Sequence, residues 1–146
     1  MSDKSGNSHK GNNMYLSVSS RAASAYNRVG LETGVQSADP HELINMLFNG
    51  LLDTLVVAKG AMERQDIAAK GKAISKAVRL LDEGLKAGLS PAGGQLSVNL
   101  GNLYDYCIRR LTHANIHNDI EAVEEVRSLI DPIADSWRTI RSAATQ

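Results

Sequence analysis

DPHELINMLFNGLLDTLVVAKGAM, residues 39–62, is the stretch that decides the fold. An aspartate at position 39 can cap a helix, Pro40 suits the first helical position, and Glu42 stands where the acid of a capping box belongs. At 100° per residue the apolar side chains of this stretch fill one wide arc of a helix. The arc consists of Leu43, Ile44, Leu47, Phe48, Leu51, Leu55, Ala58 and Met62. A helix of this kind has to bury its arc against neighbours.

Three further amphipathic helices follow along the chain. Asp66 can cap a second helix that runs to about Ala87, a third spans about Gln95 to Ala114, and Asp119 can cap the fourth. The apolar stripe of the second helix is Ile67, Ile74, Ala77, Val78, Leu81 and Leu85. That of the third helix is Leu96, Leu100, Leu103, Tyr104, Cys107, Ile108 and Leu111. That of the fourth helix is Val123, Val126, Leu129, Ile130, Ile133, Ala134, Trp137 and Ile140.

Short links between these helices predict an all-α fold, an antiparallel four-helix bundle with a short N-terminal helical segment. Pro132 lies inside the fourth helical pattern. A proline there removes a hydrogen bond and bends the helix. The apolar stripe keeps one phase on both sides of Pro132, so we expect a kink and not a break.

The segments before the bundle differ in composition. Residues 1–13 are almost wholly polar, which predicts a disordered extension. Residues 14–34 carry Ala22, Tyr26 and Val29 at the i, i+4, i+7 spacing of a short amphipathic helix. A helix this short is marginal in water, so we expect it to form only when docked. Residues 35–146 then form the bundle domain.

The charge balance and the cysteine content limit the classes of function that are possible. The chain has 16 lysine and arginine residues in total, and the same number of aspartate and glutamate residues. This balance argues against a nucleic-acid module and against a polybasic membrane anchor. A lone Cys107 cannot form an internal disulfide, which favours a reducing compartment. The N-terminus lacks the apolar region of a secretory signal, and no apolar run approaches the roughly 18 residues of a membrane span. We expect a cytoplasmic protein that does not insert into a membrane.

Residues with catalytic or metal-binding chemistry are few. His113 and His117 are four apart and could hold a metal on one helix face, but a third ligand is not evident. Cys107 lies on the apolar stripe, whereas a nucleophile needs a cationic partner and partial exposure. The sequence therefore favours a protein that is not an enzyme and has no cofactor. A small metal or acyl-transfer enzyme built on these three residues is the less favoured alternative.

Apolar side chains on polar faces indicate an interaction surface. Leu52, Val56 and Tyr106 lie among polar residues of their helices, and Tyr15 and Tyr26 in the N-terminal segment must dock somewhere. Grooves between helices commonly take an apolar helix of a partner. We therefore predict a peptide-binding or oligomerising surface at these residues. The alternative for Leu52 and Val56 is that flanking helices bury both sides of their helix.

Arg109 is a weaker, polar candidate for contact with a partner. Asp105 precedes it by four residues, a spacing that favours an ion pair within the helix. The alternative is a contact to an acidic group or a chain terminus of a partner.

Several blocks of sequence, in order along the chain, resemble one known family. They are Met14-Tyr15, Ala25-Tyr26, residues 39–50, residues 84–89, Gly93-Gly94, residues 103–111, Ala114-Asn115, Asn118-Asp119, Glu124-Glu125-Val126 and Trp137. The family is FliS, the flagellar export chaperones that bind flagellin. Two features depart from it: residues 1–13 precede the usual Met-Tyr start, and Pro132 interrupts a helix that relatives mostly leave unbroken.

The resemblance implies a helical bundle in the cytoplasm that binds the disordered C-terminal segment of newly made flagellin. It implies that binding prevents premature polymerisation and assists delivery to the flagellar export gate of the type III export apparatus. In the family the N-terminal segment is thought to lie over an apolar groove and to yield to the client. Two alternatives stay open: a structural homo-oligomer such as a homodimer, and a binder of another flagellar regulator such as an anti-sigma factor.

Overall fold

Four helices make up the part of the chain that the structure, a computed structural model, describes: residues 39–145, with side chains to residue 140. They are α1 (Pro40–Glu63), α2 (Ile67–Arg79, continued by a π-helical segment, Leu80–Lys86), α3 (Gln95–His117) and α4 (Ile120–Thr145). A short 3₁₀ turn, Pro91–Gly93, precedes α3. The all-α prediction is confirmed. The predicted segments 1–13 and 14–34 lie outside the described residues.

Aspartate side chains start three of the helices, as the sequence predicts. The Asp39 carboxylate accepts a hydrogen bond from the backbone N–H of Glu42 at 2.7 Å. Asp66 does the same for Ala69 at 3.1 Å, and Asp119 accepts from Ala122 at 3.3 Å. Each bond satisfies a backbone donor that has no partner inside its own helix.

Contacts at both ends of α1 fix its direction relative to α4. At the start of α1, the His41 ring stacks on Trp137 in the second half of α4, with centroids 4.4 Å apart. Near the end of α1, Lys59 Nζ lies 3.4 Å from Glu124 Oε1, close to the start of α4. The two helices therefore run antiparallel.

The opposite pair of neighbours, α2 and α3, is also antiparallel. Lys70, early in α2, donates to Asn118 Oδ1 just past the end of α3 at 3.4 Å. Lys86, at the other end of the second helix, lies 2.7 Å from Asp105 Oδ1 in α3. With α1 packed on α2 and α4, and α3 packed on the same two helices, the four form a ring. The predicted antiparallel four-helix bundle is confirmed.

The core confirms the predicted arc of α1 in full, since all eight of its apolar residues are buried. Three residues of the other predicted stripes are exposed, and for these the prediction was wrong: Ile67 is 77% exposed, Leu96 65% and Ile140 57%. All three lie within two turns of an end of their helix. A periodic stripe predicts which side of a helix faces the core, but it does not indicate where the facing helix ends.

The second helix also differs from the prediction of a continuous α-helix to Ala87. From Leu80 to Lys86 it is π-helical, with a wider turn than an α-helix. Both Leu80 and Leu81 are buried in the core, although the predicted stripe included only Leu81.

The fourth helix runs unbroken through Pro132, as predicted. Pro132 itself is exposed, and so is Ser128, whose carbonyl oxygen the proline leaves without its helical donor. Because this lost hydrogen bond lies on the solvent side, water can satisfy the carbonyl. The buried stripe of α4 is not disturbed.

The first helix would suit a membrane span by length and composition alone. It has 24 residues, and the mean hydropathy of its most apolar 18 residues is 1.2. The helix does not contain an uninterrupted apolar run of this length, because Asp53 and Lys59 lie within it. In the fold, the apolar arc of α1 packs against α2 and α4, as expected of a core helix.

Two isoleucines on α4 test this assignment of the core. Ile130 is 0% exposed and Ile140 is 57% exposed. We expect Ile130→Ala to lower the free energy of unfolding by about 2–5 kcal/mol, because it leaves a cavity. Ile140→Ala should change it by no more than about 0.5 kcal/mol. Urea denaturation followed by circular dichroism measures both, and equal losses would contradict the placement of α4.

Candidate functional site: an apolar groove at one end of the bundle

An apolar groove with a volume of about 530 Å³ lies at the end of the bundle where α1 begins and α2 ends. We call this surface the end groove. Its floor includes Ile44 and Phe48 of α1, which also belong to the core. The end groove is lined by Pro40, His41, Ile44, Phe48, Leu85, Gly88, Leu89, Ser90, Leu96, Ser97, Leu100, Tyr104, Ile133 and Trp137.

The turn between α2 and α3 forms one side of the end groove. Gly88 allows this turn to pass close to α1, since a Cβ there would lie 3.2 Å from Ile44 Cδ1 and 3.1 Å from the carbonyl oxygen of Gly84. Ser97 Oγ donates to the carbonyl oxygen of Ser90 at 2.6 Å and fixes the first turn of α3. Leu96 is thereby held on the rim, mostly in solvent.

His41 and Trp137 form the opposite side. Their rings are stacked with an angle of 8° between the planes, and Trp137 Nε1 donates to the backbone carbonyl oxygen of His41 at 3.0 Å. Both ring nitrogens of His41 and Oδ1 of Asn45 are buried without a hydrogen-bond partner in the described part of the chain. These are the polar atoms in or beside an otherwise apolar wall.

The four described residues that the sequence singled out lie away from the end groove. On α1, Val56 is 54% exposed, so the alternative of burial on both sides is wrong for it. Leu52 is partly buried and packs against the core, so that alternative holds in part. Tyr15 and Tyr26 fall outside the described residues.

Tyr106 and Arg109 lie together on α3. The Arg109 guanidinium carbon is 5.9 Å from the centre of the Tyr106 ring, and the arginine is exposed. The tyrosine hydroxyl donates to the carboxylate of Glu125 on α4. Leu52 and Val56 are on α1, which is diagonal to α3 in the ring, so a neighbouring helix separates the two pairs.

The predicted ion pair between Asp105 and Arg109 was wrong. Asp105 pairs with Lys86 of the neighbouring helix at 2.7 Å, and among residues 39–140 Arg109 has no ion pair. The hydrogen bond to Asp105 raises the pKa of the Lys86 amino group. The spacing along α3 showed that Arg109 is within reach of Asp105. It contained no information about Lys86, which belongs to the neighbouring helix.

A second polar cluster, not predicted from the sequence, joins α3 to α4. Arg110 Nε donates to Glu125 Oε1 at 2.7 Å, and the Tyr106 hydroxyl donates to the other oxygen of the same carboxylate. These hydrogen bonds, the one from Tyr106 first, lower the pKa of Glu125. The same bond to Glu125 raises the pKa of Tyr106.

Comparison with known proteins identifies the family. The family model described as "Flagellar protein FliS" matches residues 22–144, most of the chain. This chain belongs to the FliS family. The resemblance noted in the sequence is thereby confirmed.

Curated relatives agree with this assignment. The chain is 49% identical to the flagellar secretion chaperone FliS of Salmonella typhimurium over 122 residues, which cover 83% of this chain and 90% of the relative. It is 40% identical to the protein of the same name from Escherichia coli, with coverage of 81% and 88%. The Bacillus subtilis flagellar secretion chaperone FliS is 36% identical, with coverage of 73% and 79%.

A member of this chaperone family is not an enzyme. Burial raises the pKa of the Cys107 thiol to about 11, so the reactive thiolate is scarce at neutral pH. His113 Nε2 lies 3.3 Å from Asp119 Oδ2, and its ring is 4.4 Å from that of His117. Residues 39–140 contain no cluster of three or more histidine, cysteine or acidic side chains that could hold a metal ion.

Sequence reasoning missed the end groove because its residues were assigned to the core or not used. The helical periodicity assigned Leu96 and Trp137 to core stripes. His41 stood out only as a neighbour of the capping residues at the start of α1. The available signal was the glycine-rich stretch from Gly84 to Gly94, which indicated a turn. That this turn leaves a space between α1, α3 and α4 is a property of the packed bundle.

The Glu125 cluster leads to a prediction about pH. Because the pKa of Glu125 in the folded state is below its ordinary value of 4.5, its contribution to stability is complete above that pH. The contribution is lost as the pH falls through the lowered pKa. We expect Glu125→Gln to be less stable than the parent at pH 7 and to approach the parent below pH 4.5.

Urea denaturation between pH 3 and 7 measures this difference. Asp131→Asn is the matched control, because Asp131 is an exposed α4 carboxylate with no ion pair among residues 39–140. A gap between Glu125→Gln and the parent that does not change with pH would contradict the assignment.

Proposed function

We propose that this protein is a cytoplasmic chaperone that binds the disordered C-terminal segment of flagellin. Binding prevents premature polymerisation and assists delivery to the export gate of the flagellar type III apparatus. The observation that carries the proposal is an open apolar groove on a bundle of the FliS family. The relatives are named flagellar secretion chaperones, which supports a role in export.

The end groove suits an amphipathic helix formed on binding. Its lining is almost wholly apolar, and apolar side chains of a client would remove that lining from water. A disordered segment uses about 2–5 kcal/mol or more of the contact free energy to become ordered. An extensive contact surface can therefore give a complex that still dissociates, which is a requirement for export.

The other surface candidates are proposed as outer contacts of a segment that wraps the bundle. Val56 exposes apolar surface along α1, next to the partly buried Leu52. On α3, Arg109 and Tyr106 present a flat cationic and aromatic surface. Because these two pairs are on diagonal helices, a segment that touches both has to cross the helix between them.

We further propose that residues 14–34 cover the end groove in the free protein and yield to the client. The support is chain connectivity: only residues 35–38 separate this segment from Asp39, and the two residues after Asp39, Pro40 and His41, line the end groove. A tethered segment has a high effective concentration at a site beside its own attachment point. Its tyrosines, Tyr15 and Tyr26, would fill the space that client side chains take later.

Isothermal titration calorimetry with flagellin tests the client and the site together. We expect binding of full-length flagellin and no binding of flagellin truncated at its C-terminal segment. Leu96→Lys should weaken binding by about tenfold or more, because it places a charge on the apolar rim.

Val98→Lys is the matched control, since Val98 is 54% exposed on the same turn of α3 and does not line the end groove. It should bind as the parent does. Equal binding of both flagellin forms would contradict the client assignment. Equal loss in both lysine variants would contradict the site.

Deletion of residues 1–29 tests the covering segment. The core lies within residues 43–134, so we expect the shortened chain to fold. Since the client no longer has to displace the segment, affinity should stay equal or increase. The calorimetric dissociation constant measures this, with circular dichroism as the check on folding. Loss of binding by a folded, shortened chain would show that the segment itself contacts the client.

A further inference from the structure

The lysines and arginines of residues 39–140 fall into two groups. Members of the first group have a carboxylate oxygen within 4.0 Å, and they are Lys59, Arg79, Lys86, Arg110, Arg127 and Arg138. Members of the second group have no ion pair within these residues, and they are Arg64, Lys70, Lys72, Lys76 and Arg109. Lys70 is buried and Arg109 is on α3, so Arg64, Lys72 and Lys76 remain as surface cations in one part of the fold.

These three cations lie around the link from α1 to α2 and along the first part of α2. The guanidinium of Arg64 lies back along α1, since its Nη1 would be 3.2 Å from a Cβ at Gly60. Lys72 and Lys76 are four residues apart and share one face of α2. We call this surface the basic face, and it consists of Val57, Arg64, Ala68, Gly71, Lys72 and Lys76.

Exposed apolar surface lies beside the cations. Val57 is 57% exposed, and Ala68 is exposed as well. Val57 is one turn from Thr54 and Ala61, which are buried at the edge of the α1 arc opposite to Lys59. Because Lys59 contacts α4, that opposite edge faces α2. The basic face therefore combines apolar groups and cations from two neighbouring helices.

Gly71 leaves the backbone of α2 uncovered on the basic face. A Cβ at this position would meet no atom within 4 Å, so the described packing does not require a glycine there. Glycine in the interior of a helix is less stable than alanine. The missing side chain allows a second helix to approach α2 closely at this point.

Charge complementarity indicates which occupant fits this surface. Cations beside apolar groups complement a helix that carries carboxylates beside an apolar stripe. The chain's own N-terminal part has the wrong charge, since residues 1–38 contain four lysines and arginines and two acidic residues. An anionic membrane is a poorer match, because lipid-binding clusters have about four to eight lysines and arginines and this face has three.

We propose that the basic face is a second docking surface, which binds an acidic amphipathic helix of a partner protein other than the client segment. The end groove lies where α1 begins, whereas the basic face lies near the end of α1. Both surfaces can therefore be occupied at the same time. Val56, a proposed outer contact of the client, is on the edge of α1 that faces α4 and remains available.

A designed peptide probes the charge preference. The peptide is a helix of about five turns with leucines on one face and glutamates beside them, and its matched control has lysine in place of every glutamate. The acidic peptide should bind the full chain at least about tenfold more tightly than the basic peptide in fluorescence anisotropy. Its largest effects on backbone NMR signals should be at Val57, Gly71 and Lys72. Equal affinities, or effects centred on Leu96 and Leu100 in the end groove, would overturn the proposal.

Charge reversal tests the same surface from the side of the protein. The double variant Lys72→Glu with Lys76→Glu should bind the acidic peptide about tenfold or more weakly than the parent does. Arg127→Glu is the control, because Arg127 is an exposed cation on α4 whose carboxylate partner is 4.0 Å away. It should bind as the parent does. No loss in the double variant, or the same loss in the control, would show that the basic face is not the site.

Gly71→Leu tests close approach independently of charge. Leucine is a better helix former than glycine and meets no neighbour here, so the free energy of unfolding should stay equal or rise. The added side chain should nevertheless weaken binding of the acidic peptide by about tenfold, because it fills the point of closest approach. Unchanged binding would overturn the docking geometry. If this variant does not fold, the charge-reversal pair still decides the proposal.

Flagellin binding separates this inference from the proposed function. The double variant should bind flagellin as the parent does, because its substitutions are remote from the end groove. Weaker flagellin binding by the double variant would show that the client itself occupies the basic face, which overturns the second partner. Loss of the proposed client site in the Leu96→Lys experiment leaves the basic face untouched.

Other occupants have their own readouts. Vesicles of phosphatidylglycerol and phosphatidylethanolamine test a membrane, and sedimentation velocity tests a second copy of the chain. We expect the parent and the double variant to behave alike in both experiments. Vesicle binding or self-association that the double variant abolishes would assign the basic face to that occupant and overturn the proposal.

Discussion

Burial of the apolar arc of α1 is the constraint on which the rest of the structure depends. Ten residues of this helix are buried, and it packs on both α2 and α4. Ile44 and Phe48 belong at once to the core and to the floor of the end groove. The end groove therefore lies directly against the buried core.

Irregular backbone borders the end groove. The second helix ends there in the π-helical segment from Leu80 to Lys86, and Gly88 lets the following turn approach α1 closely. A Cβ at position 88 would lie 3.2 Å from Ile44 Cδ1, on the floor of the groove. Local departures from ideal helix geometry are common at functional sites.

Polar contacts between helices lie largely away from the end groove. Glu125 joins α3 to α4 through Tyr106 and Arg110, and Asp105 joins α3 to α2 through Lys86. The sides of the bundle are therefore held by hydrogen bonds and ion pairs, whereas its open end is apolar.

The sequence by itself determined the helices, their aspartate caps and the core face of α1, because these depend on residues three or four apart in one helix. Blocks such as residues 103–111 also sufficed to indicate the family. Only the tertiary structure decided that Leu96 lies on a rim in solvent, that Asp105 pairs with Lys86 instead of Arg109, and that His41 stacks on Trp137, 96 residues away. Each of these depends on where a different helix ends or passes, and the periodicity of a single helix contains no information about the position of its neighbour.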